Sequence, residues 1–422
     1  MRTILDSILK KRALLVAYAC IFAYLLVVSM QFLAHQLSSH LTRGGLQAAL
    51  KLDRGNAEYY SRLARYYDLI RNDNSSAIVQ DEKAVQLNPH DARFWLDLAA
   101  LYAVNGDSES QMRAIEHAVR VDPTSPKVAW EAANLYVARG QTEAALRQFH
   151  VVMEGDPYLP ETAMRTCWRI APDVDLLLKD VIPARVSSYL SFLGLLMSKE
   201  DTAGTLKVWD ALIALHQPIE VQPLFTYIRY LLLHKSPDEA ALAWREAASL
   251  LGLNAYLPSS NNLIVNGDFH LDVLNGGFDW QHQKRASVSL SLDTSEFHGG
   301  HRSLAITFDG PGIVDAGVYQ VVTVKPNTTY QFSGHYRNGE MEGAGGLHFS
   351  IEDLYSSRSY FLSDELKFAS VWKNVSAEFS TGPETKVVVL RVQRLPAGSP
   401  LRGKIWIDDF RLVEKPVTEG TG

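Results

Sequence analysis

Pro89, Pro123 and Pro157 fall at a fixed interval of 34 residues, and each closes a similar phrase: "LNP", "VDP", "GDP". Other positions keep the same step: Ala99 with Ala133, Leu101 with Leu135, Tyr102 with Tyr136, Gly106 with Gly140. Ala84 and Ala118 mark the second helix of successive units. A period of this length is the signature of stacked helix–turn–helix units, none of which buries its apolar face alone. Small Ala99 and Ala133 let paired helices approach closely, and Tyr102 and Tyr136 fill the space beside them. Gly106 and Gly140 suit turns that need a positive φ. The prolines cannot continue a helix and so punctuate the units.

At these residues the chain resembles the tetratricopeptide repeat family, over about Leu46 to Pro157. "LQAALKLDRGNAEYYSRLARYY" looks like a second helix leading into another unit, and the first full unit carries one inserted residue near Arg71–Ser75. The resemblance implies a groove for protein partners, with Asn134 and Arg165 as candidate groove residues, and no catalysis. From Tyr158 to Leu253 the strict period fades, but helix-length, apolar-faced segments persist between Pro183, Pro218 and Pro237. They are expected to extend the array as degenerate helix pairs.

Between Ala13 and Thr42 there is no Asp, Glu, Lys or Arg, and "ALLVAYACIFAYLLVVSMQFLA" is 22 residues long. A bilayer core of roughly 30 Å needs about 20 such residues as a helix. Arg2, Lys10, Lys11 and Arg12 precede the segment, whereas Arg43 is the first cation after it. The expectation is a single-pass anchor in a bacterial-type inner membrane, N-terminus cytoplasmic and bulk periplasmic. A signal peptide cleaved after Ala17-Tyr18-Ala19 and a lipidated Cys20 are the competing readings; the apolar run continues past the first, and the second lacks a good lipobox. Cys20 and Cys167 are not expected to pair.

After "YLPSSNN" the apolar period becomes two. "ASVSLSL", "SLAITF", "GVYQVVTV", "TYQFSGHY", "LHFSI", "VWKNVSAEFS", "KVVVLRVQR" and "KIWIDDFRLV" read as short strands bounded by Gly, Pro, Asn or Asp. Such a set suits an antiparallel two-sheet jelly roll. Alternation puts Leu304, Ile306 and Phe308 on one face of their strand, and Tyr330, Phe332 and Gly334 on one face of theirs.

"NLIVNGDF", "HGGHRSLAI", "VYQVVTVKPNTTYQFSGHYR", "WKNVSAEFSTGPETKVVVLRV" and "IWIDDFRLV", in that order, resemble the galactose-binding-like modules that accompany carbohydrate-active enzymes. The resemblance implies two kinds of site. Structural calcium in such modules would map to the Asp268 carbonyl, Glu296, the Gly299 carbonyl and Asp409. His270, however, stands where an acidic ligand is usual, and calcium prefers hard oxygen ligands. Sugar binding would map to Tyr336, Arg337, Tyr355, Tyr360 and Gln393, with "EDLYSSRSYF" as a covering loop. Trp280, Trp372 and Trp406 are expected in the core.

No GxSxG, HExxH, P-loop or GxGxxG occurs in a proper context, and the neighbouring carboxylates Glu352-Asp353 and Asp408-Asp409 would point to opposite faces of a strand. An enzyme is not expected. The net charge of −6 gives no pull toward nucleic acid. The expected order is a tail (1–12), a transmembrane helix (13–34), repeats (44–157), a helical extension (158–257), a β-sandwich (262–414) and a tail (415–422). Two functions compete: an envelope scaffold whose sandwich binds carbohydrate, in the setting of exopolysaccharide or envelope assembly, and a purely structural scaffold whose sandwich caps the array. An apolar contact between Leu250–Leu257 and the first strand would dock the sandwich rigidly.

Overall fold

The computed structural model describes residues 2–155, 160–310, 315–339, 341–343, 346–398 and 400–416. Pro157 therefore lies outside the described residues. The chain divides into two compact units, Met1–Ala184 and Arg185–Gly422.

The first unit is all helix. It opens with α1 (Arg2–Ser38), whose stretch Leu14–Ser38 is long and apolar enough to cross a membrane. Side chains 14–33 are exposed, but Ala34 is fully buried against Ala49 and Tyr59. The last turn of α1 thus packs on α2 (Arg43–Leu52), and the apolar helix runs unbroken into the array. Gly45 permits this closeness, since a Cβ there would collide with the Leu37 carbonyl oxygen. Helical hairpins follow: α3 (Ala57–Leu69) with α4 (Asn74–Leu87), α5 (Ala92–Val104) with α6 (Ser108–Val121), and α7 (Pro126–Ala138) with α8 (Thr142–Gly155). After them come α9 (Pro160–Ile170) and the short α10 (Val174–Asp180).

Local chemistry sets these boundaries. Asp73 and Asp107 accept N–H bonds from Ser76 and Ser110 at the starts of α4 and α6, and Ser125 caps α7 with Pro126 in its first turn. Ala84, Ala99, Ala118 and Ala133 are fully buried, as close helix packing requires. The turn in the first full hairpin covers 70–73, where the next takes 105–107; the extra residue sits where the sequence places an insertion. Gly106 and Gly140 have φ of +75° and +70°. Gly106→Ala should therefore cost about 1 kcal/mol, since an L-residue is penalised in this region. Urea unfolding of the full chain measures this, and an unchanged midpoint would refute it.

The second unit begins with α11 (Val186–Ser198) and α12 (Thr202–Ala214), then α13 (Val221–Leu233) and α14 (Pro237–Leu251). Two antiparallel sheets follow. One contains β1 (Gln281–His282), β4 (Asp315–Thr323), β10 (Val387–Leu395), β7 (Gly346–Asp353) and β8 (Ser359–Leu362), in that order. The other contains β2 (Val288–Asp293), β3 (Ser303–Gly310), β11 (Leu401–Glu414), β5 (Thr329–Asn338) and β9 (Ala369–Ser380), with β6 (Glu342–Gly343) paired to β11. All eight strands expected from period-two patterning are present. Between the sheets, Phe410 gathers the rings of Phe269, Trp280, Phe332 and Phe349. The opening "NLIVNGDF" forms no strand; it is tied to β11 through Leu263, Asn262 and Gly267, and to β4 by the buried Gln320 amide on Val265.

The sandwich is docked to α13 and α14, but through a different contact from the expected one. Of Leu250–Leu257 only Tyr256 is buried. Trp244 of α14 and Phe225 of α13 instead lie against the 276–278 turn, where Cβ atoms on Gly276 or Gly277 would strike their rings. Trp244 Nε1 donates to the Tyr256 carbonyl, Tyr256 Oη donates to the Asp272 carbonyl, and Lys386 pairs with Asp238.

Candidate ligand sites on the beta-sandwich

The five residues expected to bind sugar do not converge. Tyr336 is 5% exposed and belongs to the inter-sheet core, whereas Arg337 points from the opposite face of β5. This corrects the expectation of a shared cleft: successive strand residues face opposite ways. Arg337 pairs with Glu296 and lies over the Trp406 ring. Tyr360 is structural too. Its hydroxyl bonds Thr385 Oγ1 and accepts the Gly382 N–H, and its ring packs on Phe379. The "EDLYSSRSYF" segment is the β7–β8 hairpin and not a free covering loop.

Tyr355 faces the helices. It lines a cavity of about 540 Å³ walled by α13 on one side and by the outer face of the β1-β4-β10-β7-β8 sheet on the other. The sheet side presents Gln281, Tyr319 and Val321, the 275–277 turn presents Asn275, and α13 contributes Gln222, Phe225 and Arg229. Tyr319 donates to Gln281 Oε1, and the Arg391 guanidinium sits 5.7 Å from its ring centroid. Arg391 Nε and Tyr355 Oη are buried without hydrogen-bond partners. Burial, with Asp353 adding to it, pushes the Tyr355 hydroxyl up to about 12, so it remains a neutral donor. Gln393 lies on the same sheet face as Arg391, one row further along β10, and does not line the cavity. Tyr319 was the missed residue. Its signal was its place in "GVYQVVTV", out of phase with the core-facing Val318 and Val322.

The opposite outer face, on the sheet containing β5 and β11, carries a second cluster. Trp372 and Trp406 are part-exposed there, so only Trp280 of the three tryptophans is in the core. Trp406 Nε1 donates to Asp293, which also takes Lys404. The expected calcium set does not fit an oxygen cage. Of its two carboxylates, Glu296 is held by Arg337, and Asp409 faces His298, His335 and Arg411. Gly299 does lie beside Asp409. Each carboxylate is already matched by a cation or an imidazole, so no calcium chemistry is drawn from this set.

In the first unit Asn134 Nδ2 donates to the Trp130 carbonyl of its own helix, and Arg165 pairs with Glu161 one turn away. A polar groove runs instead along α3, α5 and α7, lined by Arg65, Arg93, Asp97, Lys127 and Glu131 among others. Arg65 Nη2 donates to Asp97 at 2.8 Å, and burial raises the Glu131 carboxyl. Neither Asn134 nor Arg165 lines this groove.

Residues 261–398 match the model of a family described as a carbohydrate binding domain. Similar solved structures include one described as "CBM4 structure and function", 16% identical, covering 36% of this chain and 99% of that one with a TM-score of 0.28. Another is TmCBM61 in complex with β-1,4-galactotriose, 18% identical, covering 37% and 100%, TM-score 0.27. A third is from the functional characterization of Pseudomonas aeruginosa pilF, 16% identical, covering 47% and 92%, TM-score 0.25. No curated protein matches the chain. With two antiparallel sheets and the family match over 261–398, the C-terminal part is a carbohydrate-binding-module-type jelly roll.

Proposed function

We propose that this protein is a membrane-anchored scaffold of the cell envelope: α1 is the anchor, tetratricopeptide-like hairpins hold a protein partner, and the jelly roll binds carbohydrate. The observation that carries the carbohydrate reading is the cavity between α13 and the β4 face. It joins an aromatic ring, Tyr319, to the amides Gln222, Asn275 and Gln281 and the guanidinium of Arg229. Sugars are bound by such pairings, with C–H faces on an aromatic ring and hydroxyls on amides and cations. The matched family supports the same ligand class. The charged groove along α3, α5 and α7 suits an extended peptide of mixed charge. An N-terminus on the cytoplasmic side follows from the cations before the apolar run.

The structural alternative has an observation of its own, since Phe225 and Trp244 do seat the helices on the sandwich. A cap of that kind does not require a polar-walled cavity beside the contact. Full-length protein in detergent should retain on a polysaccharide panel, and Tyr319→Ala should weaken retention by about 10-fold, the loss of one stacked ring. Tyr336→Phe should bind as wild type, because that ring is inside the core. Retention by no glycan, or equal retention by Tyr319→Ala, would leave the capping reading.

A further inference from the structure

We propose that His298, His335 and Asp409 form a binding site for a borderline transition cation of the Zn²⁺ class. The site is built by a bulge in β11. The β11–β5 register shifts between Asp408 and Arg411, and Asp409 takes a φ of +51°. The two carboxylates then divide the work. Asp408 is buried and accepts the N–H groups of His298, Gly299 and Asp409, which fixes the 298–299 turn against the bulge. Asp409 emerges on the outer face beside His335 of β5.

The ligand atoms are close to a coordination shell. Asp409 Oδ2 is 3.3 Å from His298 Nδ1 and 3.9 Å from His335 Nδ1. All three groups offer a ligand atom within 4.8 Å of one another. Zinc bonds of about 2.0–2.1 Å in a tetrahedron put ligand atoms roughly 3.3 Å apart, the spacing of the His298–Asp409 pair; His335 has to draw closer to complete the shell. The two imidazoles stack with centroids 3.7 Å apart and planes at 12°, so a shared ion requires the exposed His298 ring to turn out of the stack until both ring planes meet at the cation.

The surroundings prepare each ligand. His335 Nδ1 is buried without a hydrogen-bond partner, and Asp409 Oδ2 lies 3.9 Å from it. Its other nitrogen, Nε2, is 3.2 Å from the Asn374 side chain. As placed, Asn374 Nδ2 donates to it; cation binding requires the amide to turn over, so that Nε2 donates to its oxygen and Nδ1 is freed to coordinate, as in metal-bound histidines. Arg411 holds Asp409 Oδ1 at 3.1 Å and leaves Oδ2 for the cation. Two imidazoles and one carboxylate select a borderline ion over calcium. Three protein ligands leave a fourth position, open to water because His298 is exposed. The cation would tie the 298–299 turn, β5 and β11 together.

The test uses metal-stripped, full-length protein in detergent, titrated with Zn²⁺ by calorimetry and with Co²⁺ by visible absorption. One saturable site is expected, with the intense spectrum of tetrahedral cobalt and no displacement by excess Ca²⁺. His298→Ala, at an exposed position, should lower Zn²⁺ affinity at least 10-fold while leaving the circular dichroism unchanged. Asp409→Asn should act in the same direction. Zinc binding of equal affinity and stoichiometry in both variants would overturn the proposal, as would the absence of a saturable site or displacement by Ca²⁺. Glycan retention is independent of this site and should be unchanged in His298→Ala.

Discussion

Replacing Trp244 by alanine is expected to destabilise the Arg185–Gly422 unit by about 3–5 kcal/mol, the usual cost of deleting a buried large aromatic. The ring is 1% exposed and meets Phe225 at 6.1 Å and Phe278 at 6.4 Å between centroids. It also donates to the Tyr256 carbonyl, which would be left without that partner. The effect should be local to the joint between α14 and the sandwich. Trp244 packs on the 277 turn, and Gly277, with φ +61° and the indole where its Cβ would lie, cannot refill the space with a side chain. The 252–261 connection should therefore become sensitive to protease in the variant while the sandwich core stays folded. Urea unfolding with limited proteolysis measures both. Wild-type stability together with an uncut connection would show that the two parts are not held by this contact.

That joint was only partly legible in the sequence. The strands were readable because each core-facing set alternates cleanly, as in Leu304, Ile306 and Phe308. The short β1, β6 and β8 span too few residues for a period to show. Docking left a subtler trace. In "KVVVLRV" and "VYQVV" the positions pointing away from the inter-sheet core are also apolar, and Val321, Val387 and Val389 are all buried. A strand apolar on both faces is covered on both faces, and that pattern anticipated a second layer over β4 and β10. Tyr336 could have been excluded in the same way, because the set Tyr330, Phe332, Gly334 continues to it by steps of two. Tyr319 is of the opposite phase to Val318 and Val322, which is the signal for an outward ring. The α13 wall of the cavity that Tyr355 lines was not readable, since no local pattern reports which helix face meets which sheet. The histidine cluster depends on a bulge that shifts register by more than a period can express.

Stability of the first unit should fall as pH rises from about 4 to about 8, and Asp81→Asn should abolish most of that fall. Asp81 of α4 is 1% exposed, and its Oδ1 has no hydrogen-bond partner. Burial, with Asp97 adding to it, pushes its carboxyl up to about 8 from 3.8. Below about 4 the folded and unfolded chains both hold the proton, and the group contributes no pH dependence. Between about 4 and 8 the unfolded chain has lost the proton and the folded one keeps it. Stability then declines by about 1.4 kcal/mol per pH unit until the folded group ionises as well. Asp408 and Asp279 of the second unit are raised by burial in the same sense, but only to about 6 and about 7. The interval from pH 7 to pH 8 therefore isolates Asp81 among the three. Asparagine mimics the protonated carboxyl, so the variant should match wild type near pH 4 and exceed it by on the order of 6 kcal/mol at pH 8.5. A neutral Asp81 also leaves Arg65 to Asp97 alone, which keeps the groove along α3, α5 and α7 in its observed pairing. Partner binding in that groove should thus survive the substitution at pH 7. Parallel stability curves for wild type and Asp81→Asn across pH 5 to 8.5 would show that the buried carboxyl is ionised in the folded protein.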